Sequence, residues 1–129
     1  MIINFVSTLL AHVKIKQGFE DHWEAIAQKV FSATHDNEVG CVRYEYWRGS
    51  KPRTYYVLLS FQSFDDFMIH QVADYHHNTD FRDCFEDFIL EWVDPIEDAS
   101  PLTQSNTLGE MRVDKGEVWN NYVLSLIHI

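Results

Sequence analysis

The sequence predicts one α+β domain of the split β-α-β-β-α-β, ferredoxin-like kind, with an antiparallel sheet carrying helices on one face. Three observations lead there. Residues alternate apolar and polar from Phe5 to Lys16, apolar residues then recur at spacings of three and four after Gly18, and two Val/Tyr-rich runs follow, joined by a polar turn.

In the first strand Leu9, Ala11, Val13 and Ile15 share one face, while Thr8, Leu10, His12 and Lys14 share the other. The helix carries Phe19, Trp23, Ile26, Ala27, Val30 and Ala33 as its apolar stripe, opens on Glu20 and Asp21 at its positive end, and runs to about His35. Gly40 breaks the chain before Cys41–Trp47 and Thr54–Phe61, and Arg48–Arg53 turns one run back on the other as a hairpin. Ser63 with Asp66 three residues on has the form of a capping box, and Phe64, Phe67 and Met68 mark the short helix behind it, with His70 near its end. A second short helix is expected from Asn78 or Thr79 as cap and from Phe81, Cys84, Phe85 and Phe88 at helical spacing. Ile89–Val93 then reads as the last strand, closed by Asp94-Pro95. Large rings on both faces of the hairpin, at Tyr44, Tyr46, Trp47, Tyr55 and Tyr56, would leave an exposed apolar patch on a bare sheet face, and a homodimer covers it.

Residues 1–98 form the predicted domain. Residues 99–123 are polar and aperiodic, as an extension or linker would be, with only Val118–Val123 able to pair as a strand. Leu124–Ile129 resembles translated sequencing-adapter DNA and is set apart from fold reasoning, a genuine short strand being the alternative; His128 accordingly receives no weight.

The 129 residues, 46% apolar and 15% aromatic, suffice for one core. Twenty acidic against ten basic residues give a formal charge of −10, which repels nucleic-acid backbones and anionic lipid surfaces, so neither is an expected partner. Cys41 and Cys84 have no CxxC spacing, and the start of the chain lacks a basic, signal-like segment; both thiols read as reduced, in a cytoplasmic protein.

The segment from Phe61 to Phe81 carries the most chemistry, because His70, His76 and His77 fall within eight residues beside several rings. Imidazole exchanges a proton near neutral pH. In a partly dry pocket His70 would accept a phenolic or enolic proton, leaving an anion electron-rich enough to react with oxygen without metal or flavin. The plain alternative is a helix-end histidine favoured by the dipole. His70, Asp74 and His77 stand at i, i+4 and i+7, so an unbroken helix would give a two-histidine, one-carboxylate metal face; a bend at Asp74-Tyr75 would dissolve it, and no metal is expected.

Across Phe5–Val93 the chain resembles the antibiotic biosynthesis monooxygenase-like domains. The resemblance rests on Gly18 after a strand, Glu38-Val39-Gly40-Cys41 where that family commonly shows Glu-Pro-Gly-Cys, Tyr44, Phe61-Gln62-Ser63 ending the third strand, His70 seven positions later, and Asp74-Tyr75-His76-His77 with Phe81. It implies a dimeric α+β barrel with a pocket in each subunit between sheet and helices. Its members include cofactor-independent oxygenases of quinols and anthrones, haem-degrading enzymes and an isomerase of a phosphorylated molecule. The haem-degrading branch fits poorly, since its helical Trp position is His70 here.

The leading expectation is a cofactor-free monooxygenase acting on a quinol-like or polyketide-like aromatic molecule, with oxygen as co-substrate and His70 catalytic. An isomerase of a small carbonyl compound, with Arg43, Arg48, Lys51 and Arg53 drawing in a phosphate, and a non-catalytic ligand-binding or dimerisation module are the alternatives. Tyr44, Trp47, Tyr55, Phe67, Phe85 and Trp92 are candidate pocket walls, with His12 and one of His76 and His77 as pocket companions. His22 and His35 read as solvent-facing, and the cysteines as core.

Overall fold

A computed structural model describes residues 6–102 and 113–114. Strand β1 (Ser7–Ile15) leads into helix α1 (Glu20–Asn37), the hairpin β2 (Cys41–Arg48) and β3 (Thr54–Phe61), helices α2 (Phe64–Val72) and α3 (Asp74–His77), a single 3₁₀ turn at Phe81–Cys84, and strand β4 (Phe85–Trp92). The two-residue strand β5 (Val113–Asp114) completes an antiparallel sheet of order β2-β3-β1-β4-β5. This is the ferredoxin-like α+β arrangement the sequence predicts. Val118–Val123, Leu124–Ile129 and residues 103–112 of the expected extension lie outside the described residues.

The turn from β1 into α1 needs a left-handed backbone, which Gly18 supplies at φ +88°. Helix α1 buries Trp23, Ile26, Ala27, Val30 and Thr34 against the sheet face formed by Leu9, Ala11, Val13 and Ile15 of β1 and Val57 and Leu59 of β3. Each fully buried Val, Leu or Ile on that interface contributes roughly 1.5–3 kcal/mol. Phe19 lies at the N-cap position of α1 and stays 39% exposed, so the inward stripe begins at Trp23. Gly40 lets β2 approach α2 closely: a Cβ there would stand 2.3–2.6 Å from the Asp66 carboxyl. Asp66 in turn takes a 2.8 Å bond from Ser63 Oγ and returns its backbone N–H to the same oxygen, the reciprocal cap that starts α2.

The segment after Asn78 differs from the helix expected there. Only Phe81–Cys84 turns, as a 3₁₀ element, and Phe85 already pairs with Ile15 of β1. Lys14 pairs with Asp87 while the adjacent Ile15 pairs with Phe85, so Glu86 is an extra residue bulged out of β4. The bulge turns Phe85 and Phe88 to the same inner face although they are three apart. Helical spacing in the sequence is therefore the imprint of a bulged strand.

Helix α2 stops at Ala73, whose ψ of 139° leaves helical geometry before α3 begins. His70, Asp74 and His77 consequently do not share a helical face. Among the described residues no group of three or more His, Cys, Asp or Glu side chains is gathered to hold a metal ion.

Candidate active site

Between the inner sheet face and α1 lies a cavity of about 210 Å³, closed at one end by the end of α2, α3 and the 3₁₀ turn. Its walls are apolar, from Val13, Val57, Leu59 and Leu90 on the sheet and Ile26 and Val30 on the helix, with the rings of Trp23, Phe81, Phe85 and Phe88. The polar side chains on it are Tyr44, Tyr46, Gln71, His76 and Arg82.

A second bulge aims the tyrosines. Cys41 pairs with Phe61 and Arg43 with Ser60, so Val42 is extra and exposed, and Tyr44 and Tyr46 then face inward opposite Leu59 and Val57. Their hydroxyls hydrogen-bond each other directly. Burial holds the Tyr44 phenol well above its ordinary pKa, with Tyr46 adding to the rise; burial also raises Tyr46. Both remain protonated at neutral pH and can hydrogen-bond an oxygen in the cavity.

His76 borders the cavity from α3. Its Nδ1 lies 3.2 Å from the Gln71 carbonyl, which only accepts, so Nδ1 carries a hydrogen. Burial, followed by the adjacent His70, holds its pKa well below the ordinary 6.5, while the Gln71 bond acts in the opposite sense. A neutral His76 thus keeps its lone pair on Nε2.

His70 sits one layer behind this wall. It is fully buried, its ring centroid 4.5 Å from His76, 4.7 Å from Tyr44 and 5.0 Å from Phe61. Nδ1 donates to Glu38 Oε2 at 3.1 Å, with Thr34 Oγ1 at 3.4 Å, and Tyr75 O–H donates to the same Glu38 oxygen. His70 Nε2 and Glu38 Oε1 make no hydrogen bond among the described residues. Glu38 is the C-cap residue of α1 and His70 closes α2, so the ends of two helices are tied together by a buried carboxylate and imidazole.

The structure brings His70, His76, Tyr44 and Phe85 together, in part through Phe81, whose centroid is 5.0 Å from His76 and 5.6 Å from Phe85. It places the other candidates elsewhere. Phe67 and Trp92 pack on each other in the core 5.8 Å apart, away from the cavity wall. Tyr55 donates to Glu24 Oε2 at 2.6 Å on the far side of Trp23. Its phenol is pushed up to about 12 by burial and that bond. Trp47 is 59% exposed on the outer sheet face, and His12 on the same face pairs with Glu91 at 2.8 Å; strand alternation directs both away from the helices. His77 is half-buried on α3 and does not border the cavity. Of the hairpin cations, Arg43, Arg48 and Arg53 pair with Glu45, Glu24 and Glu86, and none of the four borders the cavity.

Glu38, Tyr46, Gln71 and Arg82 escaped the sequence reading. Gln71 could have been found four residues after the inward-facing Phe67, and Tyr46 by strand alternation from Tyr44.

The sequence profile of the antibiotic biosynthesis monooxygenase family matches residues 7–80, more than half of the chain. The chain belongs to that family. No curated protein matches the sequence at a significant level. Among solved structures, a candidate antibiotic biosynthesis monooxygenase of Caulobacter crescentus CB15 superposes with a TM-score of 0.67 at 20% identity, covering 73% of this chain and 92% of the other. A protein of Shewanella oneidensis gives 0.64 at 22% identity over 72% and 93% of the two chains. A candidate monooxygenase of Nitrosomonas europaea gives 0.65 at 8% identity over 78% and 99%. At these identities the structural likeness establishes the shared ferredoxin-like fold.

Proposed function

We propose that this family member is a cofactor-independent monooxygenase of a compact quinol-like or enolic ring, with His76 as the base that touches substrate and His70 as the positioning residue behind it. The observation carrying this reading is a half-buried imidazole, its pKa held low, on an apolar cavity that two protonated tyrosines also line. His76 Nε2 accepts the ring hydroxyl proton, and Tyr44 and Tyr46 hydrogen-bond the resulting oxyanion. The anion is then oxidised by oxygen: a ring C–H becomes C=O, the O–O bond breaks, and the second oxygen leaves as water. A phenol plus O₂ balances as a quinone plus H₂O, so the substrate supplies all the electrons.

The sheet face opposite the helices carries Leu10, Trp47, Tyr56 and Leu58, with Trp47 59% and Tyr56 38% exposed, which favours a homodimer packed through that face. Cys41 and Cys84 are unpaired, in keeping with a reducing, cytoplasmic setting. Among the described residues no helix is long and apolar enough to cross a membrane.

Oxygen uptake with a panel of one-ring and two-ring phenols, with labelled oxygen traced into the quinone, tests the reading. His76→Asn should lower the rate by about 10²-fold or more while the fold survives. No uptake from folded protein across the panel, or full activity in His76→Asn, overturns it; product formation without oxygen uptake would indicate an isomerase instead.

A further inference from the structure

We propose that the substrate ring carries a second, neutral oxygen, a hydroxyl or a carbonyl, and that the side-chain amide of Gln71 binds it as the specificity-determining group of the cavity. The inference deepens the monooxygenase reading by saying how many oxygens the ring bears, and it rests on that reading only for which of them gives up its proton.

Gln71 lies in the last turn of α2, directly after the fully buried His70. It is itself only 5% exposed, and it forms part of the cavity lining. Its backbone carbonyl is engaged, accepting from His76 Nδ1–H at 3.2 Å. The side-chain amide is different, for it makes no hydrogen bond to any other described residue. An amide offers two N–H donors and a carbonyl with two lone pairs, and leaving such a group unmet in a buried position is unfavourable. The other unbonded group nearby, His70 Nε2, is sealed inside the protein, whereas Gln71 stands where a ligand in the cavity reaches it.

The first ring oxygen already has its partners: His76 takes its proton, and the paired Tyr44 and Tyr46 hydroxyls stabilise the oxyanion. A ring with that oxygen alone would turn a C–H edge to the amide, stripping it of water without returning a hydrogen bond. A second oxygen restores the bond, accepting from the NH₂ as a carbonyl or both donating and accepting as a hydroxyl. A buried polar group that must be matched discriminates more sharply than an apolar wall, which tolerates either ring. The amide has no charge to offset an ionised group, so the oxygen it suits is neutral. One residue thus sets the His76 tautomer through its backbone and selects the ligand through its side chain, and a substitution can alter the second while the backbone carbonyl stays.

Binding can be measured without turnover. Under nitrogen, catechol, resorcinol, hydroquinone and phenol would each be titrated into wild type and Gln71→Met, followed by proton–nitrogen NMR, which records the glutamine side-chain NH₂ signals. Methionine keeps the length of the side chain and removes both polar atoms. At least one dihydroxybenzene should bind the wild type about tenfold or more tightly than phenol. The NH₂ pair that disappears in Gln71→Met should shift with that ligand and much less with phenol, and Gln71→Met should erase the preference. Thermal melting checks that the variant is folded; should it fail to fold, the wild-type preference and a ligand-dependent glutamine NH₂ shift decide. Absence of the preference, whether all the ligands bind alike or none binds, overturns the proposal, as does its persistence in folded Gln71→Met or a Gln71 NH₂ pair that no ligand moves. Failure of the oxygenase reading would show separately, as selective binding of the dihydroxybenzene with no oxygen uptake in air.

Discussion

Replacing Glu38 by Gln keeps side-chain size but removes the charge that ties α1 to α2. Glu38 Oε2 accepts from both His70 Nδ1–H and Tyr75 O–H, in a site where the Glu38 side chain is 5% exposed and that of His70 fully buried. A hydrogen bond to a charged group contributes about 1.5–3 kcal/mol against about 0.5–1.5 kcal/mol for a neutral pair, so two such bonds lose about 2–3 kcal/mol. The new amide NH₂ stands where Glu38 Oε1 has no hydrogen-bond partner among the described residues, and an unmet buried donor costs about 1–3 kcal/mol. Burying an amide is easier than burying a carboxylate, which recovers part of this and leaves a net loss of about 2 kcal/mol. Urea unfolding at pH 7.5 should show a lower midpoint with an unchanged slope. Tyr75→Phe alone should cost about 1 kcal/mol, and the double variant should lose less than the sum. A Glu38→Gln protein as stable as wild type, or fully additive variants, would refute an ionised Glu38 shared between His70 and Tyr75.

The depressed pKa of His76 makes folding pH-dependent. Below the ordinary 6.5 the unfolded chain takes up a proton that the folded chain refuses, so stability present above pH 6.5 is lost on acidification, on the order of 1 kcal/mol between pH 7.5 and 5.5. His76→Asn should lack that component when urea midpoints are compared at the two pH values. Gly40→Ala should push Asp66 out of its cap with Ser63 and cost about 1 kcal/mol by thermal melting, with less than additive loss on top of Asp66→Ala. Trp47→Glu should convert the expected dimer to a monomer in sedimentation velocity, and a wild type monomeric at its highest soluble concentration would rule out the outer face as a dimer contact.

Elements whose pattern is local were legible from sequence. The alternation of β1, the stripe of α1 and the Ser63 cap each encode their own geometry over a few residues. Strand β4 was half-hidden, because Glu86 interrupts the alternation and gives Phe85 and Phe88 a helical spacing that only the pairing with Ile15 and Val13 explains. Of the three histidines in the segment only His76 borders the cavity, and the bend at Ala73 falls beside the break expected at Asp74-Tyr75. Depth was another matter: nothing local tells His70 from His76, since their order behind the cavity wall depends on the 32-residue reach to Glu38 and on Tyr44 across the sheet. Trp47 and Tyr44 look equivalent as aromatic strand residues, yet their odd separation along β2 sends them to opposite faces. Glu38 appeared only as part of a turn motif, and its chemistry depends on the helix that arrives thirty residues later.

The bulge at Glu86 also places a carboxylate on the outside of the strand, within 3.1 Å of Lys14 and 3.2 Å of Arg53. Its extra residue lays the Phe85 and Phe88 rings parallel, 4.8 Å apart with a 5° tilt, as a double-thickness end plate. Deleting Glu86 alone would restore regular alternation, and with β4 held in register from Phe88 onward Phe85 would still stand opposite Ile15 on the inner face. Both rings would stay on the cavity, and what the strand would lose is the Glu86 carboxylate that reaches Lys14 and Arg53. The extra residue therefore serves the outer edge of the strand, where it ties β4 to β1 and to the end of the hairpin turn, and leaves the number of rings inside unchanged.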